Sequence, residues 1–197
     1  MTVTEERGLG PVWTLPNLVT FARLVCIPVF AVLVLVADDR LSAAILLAAL
    51  GATDWVDGWL ARRLDQATDL GRILDPTADR LMFFVAVAVM IADGSVPLWF
   101  AIVVVVREAL VAGGVLVLAA LGADGDIVEV TWWGKTGTFG LMFAFPLFLI
   151  SHADVAGPAG WEAAAWAFGI PSLVISWYAG LTYIPQGRRA LEDLRSR

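Results

Sequence analysis

Four aspartates set inside strongly apolar sequence constrain this chain more than any other feature. They lie in Asp54-Trp-Val-Asp57-Gly58-Trp-Leu-Ala61-Arg62 and, eight residues later, in Gly71-Arg-Ile-Leu-Asp75-Pro-Thr-Ala-Asp79. Carboxylates are costly in lipid, and those kept there mark function. On a helix, Asp54, Asp57, Gly58, Ala61 and Arg62 recur at i, i+3, i+4, i+7 and i+8, and Gly71, Asp75 and Asp79 recur every four residues. Each half therefore presents one polar face. The polar stretch 63–70 reads as a turn between antiparallel helices, which brings the two faces together.

Four like charges repel more strongly as the local dielectric falls, so protons or cations must offset them. An all-oxygen donor set without Cys or His suits hard ions, Mg²⁺, Mn²⁺ or Ca²⁺, rather than zinc. Four carboxylates suffice for two such ions. Glycine at 58 leaves room for a ligand's phosphates beside the helix backbone, and Arg62 one turn on can meet phosphate or a base. The pattern is that of a diphosphate-handling site.

Composition places this site in a membrane. With 197 residues, 59% of them hydrophobic and 16% charged, the chain is too apolar for a soluble domain of this size. Runs near twenty apolar residues define six expected spans, 15–37, 41–64, 71–92, 96–121, 131–150 and 158–184, in a single all-α membrane domain covering 1–197. Residues 1–13 form a polar lead-in without the apolar core of a removable signal peptide. Residues 185–197 form a basic tail. Arg62, Arg63 and Arg72 flank the motif turn and Arg188, Arg189, Arg195 and Arg197 fill the tail, whereas Arg40 stands alone in the loops of the other side. The positive-inside bias puts the motif turn and both termini in the cytoplasm of a multi-pass cell-membrane protein. Cys26, the single cysteine, reads as packing. Wide apolar faces with glycine and alanine allow a homodimer contact, and nothing in the sequence points to nucleic acid.

The spacing Asp-x2-Asp-Gly-x2-Ala-Arg-x8-Gly-x3-Asp-x3-Asp resembles the signature of the CDP-alcohol phosphotransferase family at all eight of its positions. That resemblance implies an integral membrane enzyme that displaces CMP from CDP-diacylglycerol by attack of an alcohol hydroxyl, using two Mg²⁺ or Mn²⁺ ions. It implies that Asp54, Asp57 and Asp75 hold one ion and Asp54, Asp75 and Asp79 the other, with Asp79 the general base. Gly58, Ala61, Arg62, Thr68 and Gly71 would frame the nucleotide lipid. For Thr68 a helix cap before Gly71 is the competing reading. Asn17, Thr20 and Arg23, followed by Pro28, also resemble the opening of many family members. Read from the residues alone, Asn17 caps a helix and Arg23 snorkels to the headgroups.

Outside the motif, Arg107, Lys135 and Arg188 are the candidate contacts for an anionic acceptor. Arg107 and Glu108 are adjacent in mid-span, so helical geometry directs them apart and they need not neutralise each other. Lys135 is the only lysine of the chain. Its Gly-Lys setting resembles phosphatidylglycerophosphate synthases of the family, which favours glycerol 3-phosphate as acceptor. The stretch 132–148 also resembles actinobacterial cardiolipin synthases of the CDP-lipid type, which take phosphatidylglycerol; inositol phosphate is a third acceptor. A cation transporter would need the carboxylates but no CMP chemistry. An intramembrane prenyltransferase would carry its two aspartate motifs far apart in sequence rather than on one hairpin.

Overall fold

A computed structural model describes the backbone of residues 15–64, 69–121 and 131–196, and side chains within these ranges except 15–20, 54–77, 119, 190, 191 and 193–196. The described backbone forms six helices: α1 Leu15–Leu35, α2 Arg40–Leu64, α3 Asp69–Asp93, α4 Leu98–Ala120, α5 Trp132–Ser151 and α6 Pro158–Ser196. They fall into two compact units, Met1–Asp93 and Gly94–Arg197.

In the first unit α1 packs on both α2 and α3. Its apolar core comes from Phe30 and Val34 of α1, Ala43 and Ala44 of α2, and Ala86, Val87 and Met90 of α3. These lie in the half away from the motif turn, and Ala78 of α3 is buried nearer to it. The α1–α2 connection is tight because Asp38 adopts φ 55°, a left-handed conformation that Asp tolerates better than most side chains. Asp39 then caps α2 by accepting from the Ser42 N–H at 3.0 Å. The Ser42 side chain and backbone donors hold the Asp39 carboxyl below the usual range. Arg40 pairs with Asp38 and closes on Asp93, with Nε 3.0 Å from Oδ2 and Nη2 2.8 Å from Oδ1. That two-pronged pair ties the first residue of α2 to the last of α3, as an antiparallel hairpin requires.

The second unit is organised around α6, against which α4 and α5 both pack. At one end Phe100, Phe145, Phe148 and Trp166 form a cluster of tilted and edge-on rings with centroids 5.0–6.1 Å apart. Trp99 stacks on Trp166. Farther along, α5 and α6 touch at backbone distance. A Cβ on Gly137 would lie 2.8 Å from the Ser176 nitrogen, and one on Gly140 would overlap the Ser172 hydroxyl. Small residues permit this approach, the usual means by which helices associate without a hydrophobic driving force.

Among the described residues, three helices are long and apolar enough to cross a membrane, over Leu98–Leu118, Trp132–Ser151 and Pro158–Arg189. The segments Phe21–Leu35 of α1 and Arg40–Thr53 of α2 are apolar as well.

Several expected boundaries shift. Helix α6 does not stop near Ile184 but runs through Pro185 and the basic tail to Ser196. A proline costs an interior helix one backbone hydrogen bond, and the rest of α6 outweighs that loss. Helix α3 begins at Asp69, which was expected in the loop; an acidic residue suits a helix N-terminus. It continues through Pro76. The adjacent Arg107 and Glu108 do pair, Nη1 to Oε2 at 2.6 Å, because both side chains are long enough to fold around the helix. His152, expected in a loop, closes α5, with Nδ1 3.0 Å from the Phe148 carbonyl and 3.1 Å from Ser151 Oγ.

Candidate active site

The Arg40–Asp93 clamp provides a common origin for measuring along the hairpin. Fourteen residues lead from Arg40 to Asp54 on α2 and fourteen lead back from Asp93 to Asp79 on α3, about 21 Å along each helix at 1.5 Å per residue. Asp57 follows at seventeen residues from Arg40 and Asp75 at eighteen from Asp93. The two halves of the motif therefore lie at matching distances along their helices from the clamp. Asp54, Asp57, Gly58, Ala61, Arg62, Gly71 and Asp75 have helical backbone, with side chains outside the described residues; Thr68 lies outside the described residues altogether.

Asp79 is the one motif aspartate whose side chain is described, and its surroundings were only half legible in the sequence. Arg23 of α1 forms an ion pair with it, Nη1 facing Oδ1. Arg23 is buried, 4% exposed, so it does not snorkel to the headgroups. The Asp79 side chain is 36% exposed although Oδ1 itself is buried, so its accessible surface lies on the rest of the side chain. One oxygen is held by the arginine. A guanidinium placed this way offsets one negative charge of the motif and fixes the carboxylate's orientation. The clue was the three-residue spacing of Asn17, Thr20 and Arg23; the side chains of the first two lie outside the described residues.

The acceptor candidates are in the second unit. Arg107 is buried, with Nε donating to the Ser176 carbonyl at 3.0 Å and Nη1 engaged by Glu108. Two of its three nitrogens thus hold α4 to α6 and to its own neighbour. Lys135 is exposed in the first turn of α5, and Arg188 is exposed on α6. The antiparallel contacts of Gly134 with Tyr183 and of Gly137 with Ser176 put Lys135 and Arg188 at the same end of the α5–α6 pair. That end is built by residues sequence reasoning passed over. Thr131 caps α5 by accepting from the Gly134 N–H at 3.3 Å, and its own N–H donates to the Tyr183 hydroxyl at 3.3 Å. No local spacing announces a contact across 52 residues.

Aspartate motifs at matching positions on two consecutive helices fit an enzyme of diphosphate chemistry, and similarity to known proteins makes the class specific. The sequence profile of CDP-alcohol phosphatidyltransferases matches residues 13–177. The chain belongs to that family. It is 37% identical, over 90% of its length and 84% of the relative's, to the cardiolipin synthase (CMP-forming) of Streptomyces coelicolor. A putative cardiolipin synthase of Mycobacterium tuberculosis is 36% identical over 93% of this chain and 85% of its own length. The CDP-diacylglycerol–glycerol-3-phosphate 3-phosphatidyltransferase of Bacillus subtilis is 34% identical over 71% and 78%.

Proposed function

We propose that this protein transfers the phosphatidyl group of CDP-diacylglycerol to an alcohol, releasing CMP, and that the alcohol is phosphatidylglycerol, giving cardiolipin. The observation that supports the reaction is the Arg40–Asp93 clamp, from which the two aspartate motifs lie at matching distances along α2 and α3. The acceptor follows from the relatives named cardiolipin synthase, which match at higher identity than those named for glycerol 3-phosphate. Glycerol 3-phosphate, which the Gly-Lys of α5 favoured, is the second reading, supported by the Bacillus subtilis relative.

The chemistry follows from the residues. An acceptor hydroxyl oxygen attacks the phosphatidyl phosphorus, the bond to the CMP oxygen breaks, and the hydroxyl proton passes to Asp79, whose partly exposed side chain suits the reach a general base needs. Arg23 holds that carboxylate in place from behind. Asp54, Asp57, Asp75 and Asp79 offer only oxygen donors, a set that fits two hard divalent ions, Mg²⁺ or Mn²⁺. Such ions supply neutralisation of the diphosphate as charge moves onto CMP. Gly58, Ala61 and Gly71 leave backbone room for the nucleotide, and Arg62 and Thr68 contact it. Lys135 and Arg188 hold the acceptor's phosphate, and Arg107 lends charge while fastening α4 to α6.

The same reading gives six membrane crossings. Helix α1 has 21 residues and α2 and α3 have 25 each, or about 32 and 38 Å, enough for a hydrocarbon core of about 30 Å. The polar motif residues of α2 and α3 are what make those two helices less apolar than α1. Positive-inside bias supports a cytoplasmic active site in the cell membrane, and the exposed apolar faces are consistent with lipid contact and a homodimer. Purified protein supplied with CDP-diacylglycerol and, in separate reactions, phosphatidylglycerol, glycerol 3-phosphate or inositol phosphate tests the proposal. Equal amounts of CMP and cardiolipin with phosphatidylglycerol are expected. Phosphatidylglycerophosphate as the only lipid product would replace the acceptor, and no CMP with any acceptor would favour a cation transporter.

A further inference from the structure

We propose that Tyr183 is a positioning residue for the acceptor: its hydroxyl sets the first turn of α5 and thereby the placement of Lys135. The inference rests on the reading that Lys135 holds the acceptor's phosphate, and it adds a residue that neither the motif nor the family resemblance singles out.

The observations form one connected chain. Tyr183 Oη accepts from the Thr131 N–H at 3.3 Å and lies 3.5 Å from Thr131 Oγ1. Thr131 Oγ1 accepts from the Gly134 N–H, and the Thr131 carbonyl accepts from the Lys135 N–H at 3.2 Å. The backbone nitrogen of Lys135 therefore hangs on Thr131, and Thr131 is pinned through Tyr183 to α6. Helix starts fray unless their orphan groups are satisfied, so the pin decides whether this turn is fixed or loose. Gly134 is part of the fitting, because a Cβ there would sit against Tyr183 Oη. The obstacle would be the tip of a side chain that can swing away, so Gly134→Ala displaces the hydroxyl rather than the helices.

A lysine's long stem magnifies small shifts of its backbone, and the side chain keeps its reach for phosphate only if the turn is set. Arg188, five residues past Tyr183 on α6, shares the same end, so the pin also fixes the separation of the two cationic helix segments. The chemistry recognised is a phosphate carried on a polyol, either the phosphodiester of a lipid headgroup or a free phosphomonoester.

Steady-state kinetics of the full chain in mixed micelles tests this, with CDP-diacylglycerol and acceptor varied separately and phosphatidylglycerol and glycerol 3-phosphate as parallel arms. Tyr183→Phe is expected to raise the KM of the productive acceptor about 3- to 10-fold, the net worth of one hydrogen bond. The KM for CDP-diacylglycerol should not change. The double variant Tyr183→Phe/Lys135→Ala should be no worse than Lys135→Ala alone, since the tyrosine acts through the lysine. Gly134→Ala should reproduce the acceptor effect, and it carries the test alone if Tyr183→Phe does not fold. Multiplying effects in the double variant, equal changes in both KM values, or no change in either single variant would overturn the role of Tyr183. If Lys135→Ala itself leaves acceptor KM at the wild-type value, the underlying reading fails and the inference falls with it. An effective Lys135→Ala beside a silent Tyr183→Phe removes only the tyrosine.

Discussion

In residues 1–93 two ion pairs fasten α3 to its neighbours, Arg40 with Asp93 at its last residue and Arg23 with Asp79 near its middle, whereas α5 and α6 in residues 94–197 meet through glycines pressed on backbone and rings pressed on rings. The difference follows from what each region must leave free. At Gly137 an added Cβ would lie only 2.8 Å from the Ser176 nitrogen, so nothing else enters that interface, which suits a contact that holds shape. The Arg23–Asp79 pair buries one oxygen of Asp79 and still leaves its side chain 36% exposed, so it holds a helix without covering the residue. The motif-bearing unit is thus fastened by groups of the same chemical kind as its motif.

Variants in the two regions should therefore fail differently. The largest effect is expected for Asp79→Asn, which keeps the shape but loses the proton acceptor. General-base catalysis contributes about 10²- to 10⁴-fold, so transfer should drop by at least that much while CDP-diacylglycerol binding persists. CMP release and equilibrium binding measured on one preparation separate the two, and wild-type turnover would remove Asp79 from the reaction. Next comes Gly137→Ala, where overpacking against the Ser176 backbone should cost about 3 kcal/mol. Gly114→Ala, at a position with open space around it, should instead gain up to about 1 kcal/mol from helix propensity. Unfolding in detergent measures both, and equal effects would mean that α5 and α6 do not touch as described. A smaller loss than that of Gly137→Ala is expected for Arg40→Gln, at about 2 kcal/mol for the lost charged hydrogen bonds to Asp93. Because the pair lies about 21 Å from the motif level, it should lower the unfolding midpoint and spare KM. A selective rise in KM would tie the clamp to the site.

The sequence made the helices legible because apolar runs and a three- and four-residue polar spacing are local signals. Asp54 to Asp79 could be read as two helix faces for the same reason. What stayed hidden depended on partners far along the chain. Arg23 looked like a headgroup anchor until α1 was seen to lay it on Asp79. Arg40 looked like a topology marker, although an antiparallel hairpin already implied that it stands level with Asp93. Tyr183 had no local clue at all, since its hydroxyl serves a helix start 52 residues away. The misplaced end of α6 has another origin. Pro185 and Gly187 carry a local breaking signal that the surrounding helix overrides, so its sign was read correctly and its weight was not.

The central claim is that the aspartate hairpin is the reaction centre and works only when its charge is offset by divalent cations. CMP release from CDP-diacylglycerol with phosphatidylglycerol, followed in protein stripped by a chelator and then titrated with Mg²⁺ or Mn²⁺, tests it most directly. The account predicts no release in the stripped protein, recovery on adding either ion, and no recovery in Asp79→Asn. Full turnover in chelator after exhaustive metal removal would contradict it.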